Sequence, residues 1–321
     1  MDIHVEIQAL KYYTPLIGSK SKGNTDPFVL KPYFFLGRIM IAIDMHVHPG
    51  TKEYLVDAGG RYLDDALKYF RQKTRPVSVE EMAAYYKKID MMGVILAWDA
   101  ETHTGLPAVS NDYIAGIVGR YPETFIGFGS VDPWKGKLAV DEAERAIWKL
   151  KLKGLKFHPI CQAFFPNERR FYPLWETCVS LKVPVLFHTG TTGVGAGVPG
   201  GDGLQLKYGQ PIPYLDDIAA DFPSLTIIGA HPSFPWQDEM LAVAVHKTNV
   251  YIDLSGWSPK YFPPSLIQYS NSILQDRVLF GSDYPFLTPE RWMEDFEKAG
   301  FKPQVREKIL LTNAKRLLQI P

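Results

Sequence analysis

From residue 41 onward the chain alternates short apolar runs with amphipathic segments, and it does so eight times. The runs fall at 41–46, 93–98, 125–131, 154–158, 183–188, 225–230, 250–254 and 278–281. Each is rich in Val, Ile, Leu or Phe and too short for a helix, as expected of strands buried on both faces of a parallel sheet. Between them, 80–91 sets Met82, Tyr85 and Ile89 on one helical stripe, and 141–152 does the same with Ala143, Ile147 and Leu150. Helical patterns also occupy 112–121, 172–181, 215–221, 237–246, 264–272 and 289–299, with a closing helix over 303–318. Pro289 and Pro303 suit first-turn positions, where a missing N–H costs nothing.

Eight such units in one chain argue for an α/β fold, a (β/α)8 TIM barrel with a short N-terminal extension. The competitor is an open doubly wound sheet, which wants a glycine-rich turn after its first strand. Here that strand runs into His46-Val47-His48-Pro49 instead, and the barrel is favoured. Residues 1–39 show no sustained period. They read as an appendage or an overlong gene start, with the working domain at 40–321.

Composition narrows the partners. The 321 residues carry 35 basic and 35 acidic side chains, a balance with no nucleic-acid footprint and no polybasic membrane anchor. No apolar stretch approaches the roughly 18 residues of a membrane span. Cys161 and Cys178 are too few for a disulfide framework, so a reducing, cytoplasmic setting is expected. A small molecule is the expected partner.

Five of the eight histidines lie at the C-terminal ends of the expected strands: His46, His48, His158, His188 and His231. Asp283 follows the eighth strand in Gly281-Ser282-Asp283-Tyr284-Pro285. In a barrel those ends share one rim, where active sites of this fold are built. Residues two apart on a strand point the same way, so His46 and His48 can approach one ion together. With His188 and Asp283 they would make a mixed nitrogen and carboxylate site suited to a borderline ion such as Zn2+, with room for water. A lone H-x-H is weak evidence; five strand-end histidines plus an aspartate are not readily assigned to chance. His4, His103 and His246 lack this placement and read as ordinary surface or structural residues, His246 at a helix C-terminus. By parity Asp44 shares the inward face, either filling a barrel layer or orienting a ligand.

The motifs Ile43-Asp44-Met45-His46-Val47-His48, Gly154-Leu155-Lys156-Phe157-His158-Pro159 and Val185-Leu186-Phe187-His188-Thr189-Gly190 resemble those of the amidohydrolase superfamily. So do Ile228-Gly229-Ala230-His231-Pro232, Phe280-Gly281-Ser282-Asp283-Tyr284-Pro285 and the closing Asn313-Ala314-Lys315-Arg316-Leu317-Leu318. The branch most resembled contains aminocarboxymuconate-semialdehyde decarboxylase and related hydrolases, and the likeness covers nearly everything from Met40 on. It implies that His46, His48, His188 and Asp283 hold one divalent ion, zinc first and manganese second. It also implies that His231 polarises or protonates the reacting group. Lys156 marks where binuclear members carry a carboxylated lysine, but this branch is usually mononuclear. His158 then becomes a candidate for substrate contact, with Lys156 deeper in the barrel or on a substrate carboxylate. Family members often dimerise, so a homodimer is among the assemblies the likeness allows.

A metal-activated water with Asp283 accepting its proton would make the protein a hydrolase of a small carbonyl compound, aromatic or acyl-thioester. The same parts, with the ion on substrate oxygens, would serve non-oxidative decarboxylation of an aromatic or muconate-type acid, the second reading. A barrel that has lost catalysis is the third. The glycine-rich segment 190–214 reads as a rim lid or a plain linker. Trp98, Phe164, Phe165, Phe171, Tyr172, Phe234, Trp236, Trp257, Tyr284 and Phe286 cluster near the same rim, Trp236 among those expected to touch substrate. Arg169 and Arg170 read as solvated. A chain begun at Met40 is expected to keep its fold, checked by comparing its circular-dichroism melt with that of the full chain.

Overall fold

The computed structural model describes residues 33–35 and 38–320, so most of what the sequence suggested about 1–39 lies outside the described residues. Two short strands, β1 (Tyr33–Phe35) and β2 (Arg38–Met40), form an antiparallel hairpin with Tyr33 opposite Met40, straddling the boundary drawn at Met40. Eight parallel strands follow. They are β3 (Ala42–Val47), β4 (Met91–Leu96), β5 (Phe125–Phe128), β6 (Leu155–Phe157), β7 (Val185–His188), β8 (Ile227–Ala230), β9 (Val250–Asp253) and β10 (Val278–Leu279).

The ladder runs β3-β4-β5 and β6-β7-β8-β9-β10, each strand beside its sequence neighbour. Both seams between these sheets are bridged. Gly129 pairs in parallel with Leu155 between β5 and β6. On the other side Val47 pairs with Tyr284, and the Met45 N–H donates to Phe280 O at 2.9 Å. This is the TIM-barrel arrangement, with helices packed outside. Nearly every strand residue is buried, which explains why the strands read as unbroken apolar runs.

Two apolar layers divide the strands by parity. Met92, Val94, Leu96, Leu186, Ile228 and Leu279 meet inside the barrel, whereas Leu155, Phe157, Val185, Phe187 and Ile227 face the helices. Strand β3 departs from strict alternation. Asp44 sits opposite Gly93 but Val47 opposite Ile95, three steps on one strand against two on the other. One extra residue of this kind re-aims side chains. Ile43 and Met45 point inward, and the bulge then lets His46 face inward as well. Asp44 is therefore turned the other way, against the parity argument: Tyr86 of the outer layer donates to it at 2.9 Å.

Helix boundaries differ from the periodic reading in instructive ways. The helix Val79–Lys88 begins at a reciprocal Ser78–Glu81 cap and buries Met82, Ala83 and Tyr86, so Tyr86 rather than Tyr85 carries the stripe. The helix expected at 141–152 is Lys137–Trp148, four residues earlier, with Ala139, Ala143 and Ala146 against the sheet. The closing helix is broken into Pro303–Glu307, a π-helical turn Lys308–Thr312, and Asn313–Leu318. Asn313 fixes that break, donating through Nδ2 to Gln275 O at 2.9 Å and Val278 O at 2.8 Å. A helix at Gly60–Tyr69, preceded by a π-helical turn Glu53–Ala58, was not anticipated.

Trp292 anchors the outer layer near β10. It is fully buried, packs 4.6 Å from Phe280 and 4.7 Å from Phe296 between ring centroids, and donates through Nε1 to Leu254 O. Trp292→Ala is expected to cost about 3–5 kcal/mol of stability, measured by urea unfolding.

Candidate metal centre

The C-terminal ends of β3, β6, β7 and β8 bring five imidazoles together. Ring centroids of His46 and His48 are 5.2 Å apart, His46 and His231 5.0 Å, His188 and His231 4.6 Å, and His158 and His188 3.8 Å. His231 and Asp283 both sit at positive φ, 74° and 73°. Such backbone strain in a non-glycine residue costs about 1–3 kcal/mol and tends to mark functional turns. The turn before Asp283 is held by Asp44, which accepts from Ser282 N at 2.8 Å and from Ser282 Oγ. Burial pushes the Asp44 carboxyl up to about 6. Its work is structural: it ties β3 to the segment that presents Asp283.

The partners of each ring decide which nitrogen carries a proton. His46 Nδ1 lies 2.7 Å from Asp253 Oδ2 and must donate to it, which leaves a lone pair on Nε2. His188 Nε2 faces the carbonyl of Thr191 at 3.0 Å and donates there, leaving Nδ1 as the lone pair. His231 Nδ1 faces the carbonyl of Ser255 at 3.0 Å, leaving Nε2. That Nε2 and His188 Nδ1 are 3.0 Å apart, two lone pairs facing one another in the neutral rings. Tethering one ring nitrogen to an acceptor is how proteins orient imidazole ligands. His158 is the exception. Its Nδ1 accepts from Cys161 N–H, so its proton is on Nε2, 3.3 Å from Thr192 Oγ1. It presents a donor toward the cavity, not a lone pair.

His46, His48 and Asp283 each offer a ligand atom, all within 4.8 Å of one another. Their Nε2 atoms lie 3.6 and 3.4 Å from Asp283 Oδ1. Among the described residues, Asp283 Oδ1 and His48 Nδ1 are buried without a hydrogen-bond partner. A buried carboxylate oxygen facing two imidazoles without a hydrogen bond is the environment a cation satisfies. The residues present therefore fit a divalent ion. His188 is beside this trio but outside it, engaged with His231 and Thr191.

Electrostatics suit the same purpose. Burial pushes His46, His48, His158 and His188 down, and His231 to about 4, so all five rings are neutral at neutral pH. Burial alone would push Asp283 up, but His48, His231 and Lys156 outweigh it and hold the carboxyl low. Lys156 is buried on the Nε2 side of His46, its Nζ 3.2 Å from that nitrogen, and burial pushes its pKa down. It does not line the cavity.

A cavity of about 790 Å3 opens beside the cluster, lined by His48, His158, His188, His231 and Asp283 together with aromatic residues. Tyr54 stacks on His48 at 4.6 Å with planes 4° apart, and Trp98 meets His158 edge-on at 5.1 Å. Of the aromatics singled out from sequence, Trp98, Phe234, Trp257 and Phe286 line the cavity. Trp236 does not: it sits at the start of the helix Gln237–His246, and Phe234 takes the place expected for it. Phe164, Phe171 and Tyr172 are core. Arg169 and Arg170 are exposed and paired with Asp221 and Glu168.

Two residues were missed. Asp253, the His46 partner, is an acid inside an otherwise apolar run, Val250-Tyr251-Ile252-Asp253-Leu254, and that mismatch was a readable signal. Tyr54 belongs to the stripe Tyr54, Leu55, Ala58, Tyr62, Leu63, Ala66, all buried, whose helical period was also legible. The segment 190–214 is neither free nor featureless. Gly195 N donates to Tyr62 O at 3.1 Å, and a Cβ at Gly197 would lie 2.5 Å from Tyr69 Cβ, so this strand-end loop packs onto the helix Gly60–Tyr69.

Comparison with known proteins gives a consistent outcome. The sequence model of the family described as Amidohydrolase matches residues 43–320. The chain is 25% identical over 256 residues to a gamma-resorcylate decarboxylase from Polaromonas sp., covering 66% of this chain and 75% of that one. It is 24% identical over 246 residues to the 2-amino-3-carboxymuconate-6-semialdehyde decarboxylase of Dictyostelium discoideum, covering 65% of each. Among solved structures, an uncharacterized TIM-barrel protein from Bordetella bronchiseptica superposes with a TM-score of 0.73 at 27% identity, over 87% of this chain and 98% of that one.

Gly281 permits the Asp253–His46 contact, since a Cβ there would lie 2.2 Å from Asp253 Oδ1. Asp253→Asn is expected to weaken divalent-metal affinity about 10–100-fold, measured by metal titration, while the folded chain persists by circular dichroism.

Proposed function

Because this chain belongs to the amidohydrolase family, we propose that it is a metal-dependent decarboxylase of an aromatic acid. The observation that carries the reading is the unpartnered Asp283 Oδ1 facing two imidazole nitrogens at the floor of an aromatic cavity. His46, His48 and Asp283 would hold one divalent ion, with the His188 Nδ1 lone pair turned toward the neighbouring space. Two nitrogens and a carboxylate suit a borderline ion, zinc first and manganese second. An ion there would bind substrate oxygens and stabilise the charge that builds as the bond to the carboxylate breaks.

The chain's own residues do the rest. The carbon that loses the carboxylate must gain a proton. That proton comes from solvent, since neither group rests protonated, and is relayed by His231, held through its Nδ1–H by Ser255 O, or by the Asp283 carboxylate. His158 offers its Nε2–H to a substrate oxygen from the cavity wall. Tyr54, Trp98 and Phe286 enclose the ring and exclude water.

The hydrolytic reading, placed first from sequence, now stands second. Both curated relatives are named as decarboxylases, and the cavity is walled by aromatic rings. The substrate is read as a small molecule, and no helix among the described residues is long and apolar enough to cross a membrane. The metal-loaded protein should release carbon dioxide from hydroxybenzoic acids, and aryl thioesters or lactones offered to it in 18O-labelled water should give no labelled acid product. Label in such a product would restore hydrolysis. His231→Asn should lower kcat by about 10^2–10^4 while the metal content, measured by atomic absorption, stays unchanged.

A further inference from the structure

The walls of the cavity differ from its floor in charge. Among the described residues that line it there is no lysine and no arginine. Lys156 sits against His46 Nε2 within the barrel, Arg61 pairs with Asp202 at 2.7 Å, and Lys260 lies over the Tyr261 ring, 4.7 Å from its centroid. The one positive charge set into the lining itself would be the ion held by His46, His48 and Asp283. One anionic group on a substrate can be met there. A second, farther along the molecule, would meet no lysine or arginine in the lining and would lose part of its hydration against the ring faces, which disfavours binding.

The cavity is also roomy for a one-ring acid. Its volume of about 790 Å3 lies toward the upper part of the roughly 300–1,000 Å3 that encloses drug-sized ligands. Tyr54, Trp98 and Phe286 crowd the floor around His48. A second aromatic group forms the mouth. Phe70 and Tyr69 pack edge-on at 5.1 Å on one side, and Phe234 and Trp257 meet at 5.4 Å on the other. Phe70, Tyr69 and Phe234 are substantially exposed, at 53%, 62% and 45%. Exposed rings gathered at the opening of an apolar cleft mark a surface that a ligand covers.

We propose that the substrate is a monoanionic aromatic acid whose far end is uncharged and extends past the first ring to the Phe70 and Phe234–Trp257 walls. This rests on the decarboxylase reading for the acid at the floor, and on cavity charge and shape for everything beyond it. It sets the chain apart from acids that carry a second carboxylate on the far side of the molecule.

Three ligands test it on the zinc- and manganese-loaded full chain: 2,6-dihydroxybenzoate, its 4-phenyl derivative and its 4-carboxy derivative. Isothermal titration calorimetry reads affinity, and carbon dioxide release reads turnover. The phenyl acid is expected to bind about tenfold tighter than the parent and the dicarboxylate about tenfold weaker. Phe70→Arg, which adds a cation at the mouth, should raise dicarboxylate affinity about tenfold and remove the gain from the phenyl group. A dicarboxylate that binds the native chain as well as the parent does, or a phenyl group that brings no gain, overturns the proposal. The expected order of binding without carbon dioxide release from any of the three supports the cavity's selectivity and sinks the decarboxylase reading instead.

Discussion

The site depends on one constraint: three of its five imidazoles have one nitrogen bound to a fixed acceptor. Asp253 holds His46, the Thr191 carbonyl holds His188, and the Ser255 carbonyl holds His231. A free imidazole chooses its tautomer almost without preference. These acceptors choose it instead, and in each case they leave the lone pair pointing to the same space. Ser255 joins two of these tethers, since its Oγ donates to Asp253 while its carbonyl accepts from His231.

Such a cluster is costly to assemble. Lys156, Asp253, Asp44 and all five histidines are withdrawn from water, and burial shifts each of them toward its neutral form. Two features offset this. The charges compensate one another, with Lys156 set against Asp253 and Asp283, and two of the acids find donors. Those acids are Asp44 and Asp253, with donors at both oxygens; at Asp283 Oδ1, buried without a partner, the arrangement remains incomplete without a cation. Strained backbone at His231 and Asp283 is held in place by the surrounding barrel, whose two apolar layers leave little room to relax.

Close approach of backbone completes the picture at two glycines. Gly281 makes room for Asp253, and Gly256, at φ +75°, passes so near His231 that a Cβ would lie 2.6 Å from Nδ1. Neither position tolerates a side chain without moving a ring or its tether. The cavity above is built differently, from aromatic residues supplied by the helix Gly60–Tyr69, the loop after β8 and the loop after β9. Floor and walls thus have separate origins: strand ends fix the chemistry, and loops fix what fits against it.

Eight apolar runs and their alternation with helices were enough to specify the barrel, because burial on both faces of a parallel sheet writes itself directly into composition. Strand ends being a fixed rim, the same sequence also indicated which histidines and which aspartate would converge. It failed where geometry departs from strict periodicity. The extra residue in β3 turned Asp44 outward to Tyr86 and Ser282, and a bulge leaves no mark in hydrophobic alternation. Trp236 was misplaced because loop residues two positions apart follow no common period, and only the fold shows that Phe234 lines the cavity. The tautomers of His46, His188 and His231 were likewise beyond reach, since acceptors set them, in one case from 207 residues away, as with Asp253 and His46. Local pattern determines which elements form, while the contacts between distant elements decide which way each polar atom points.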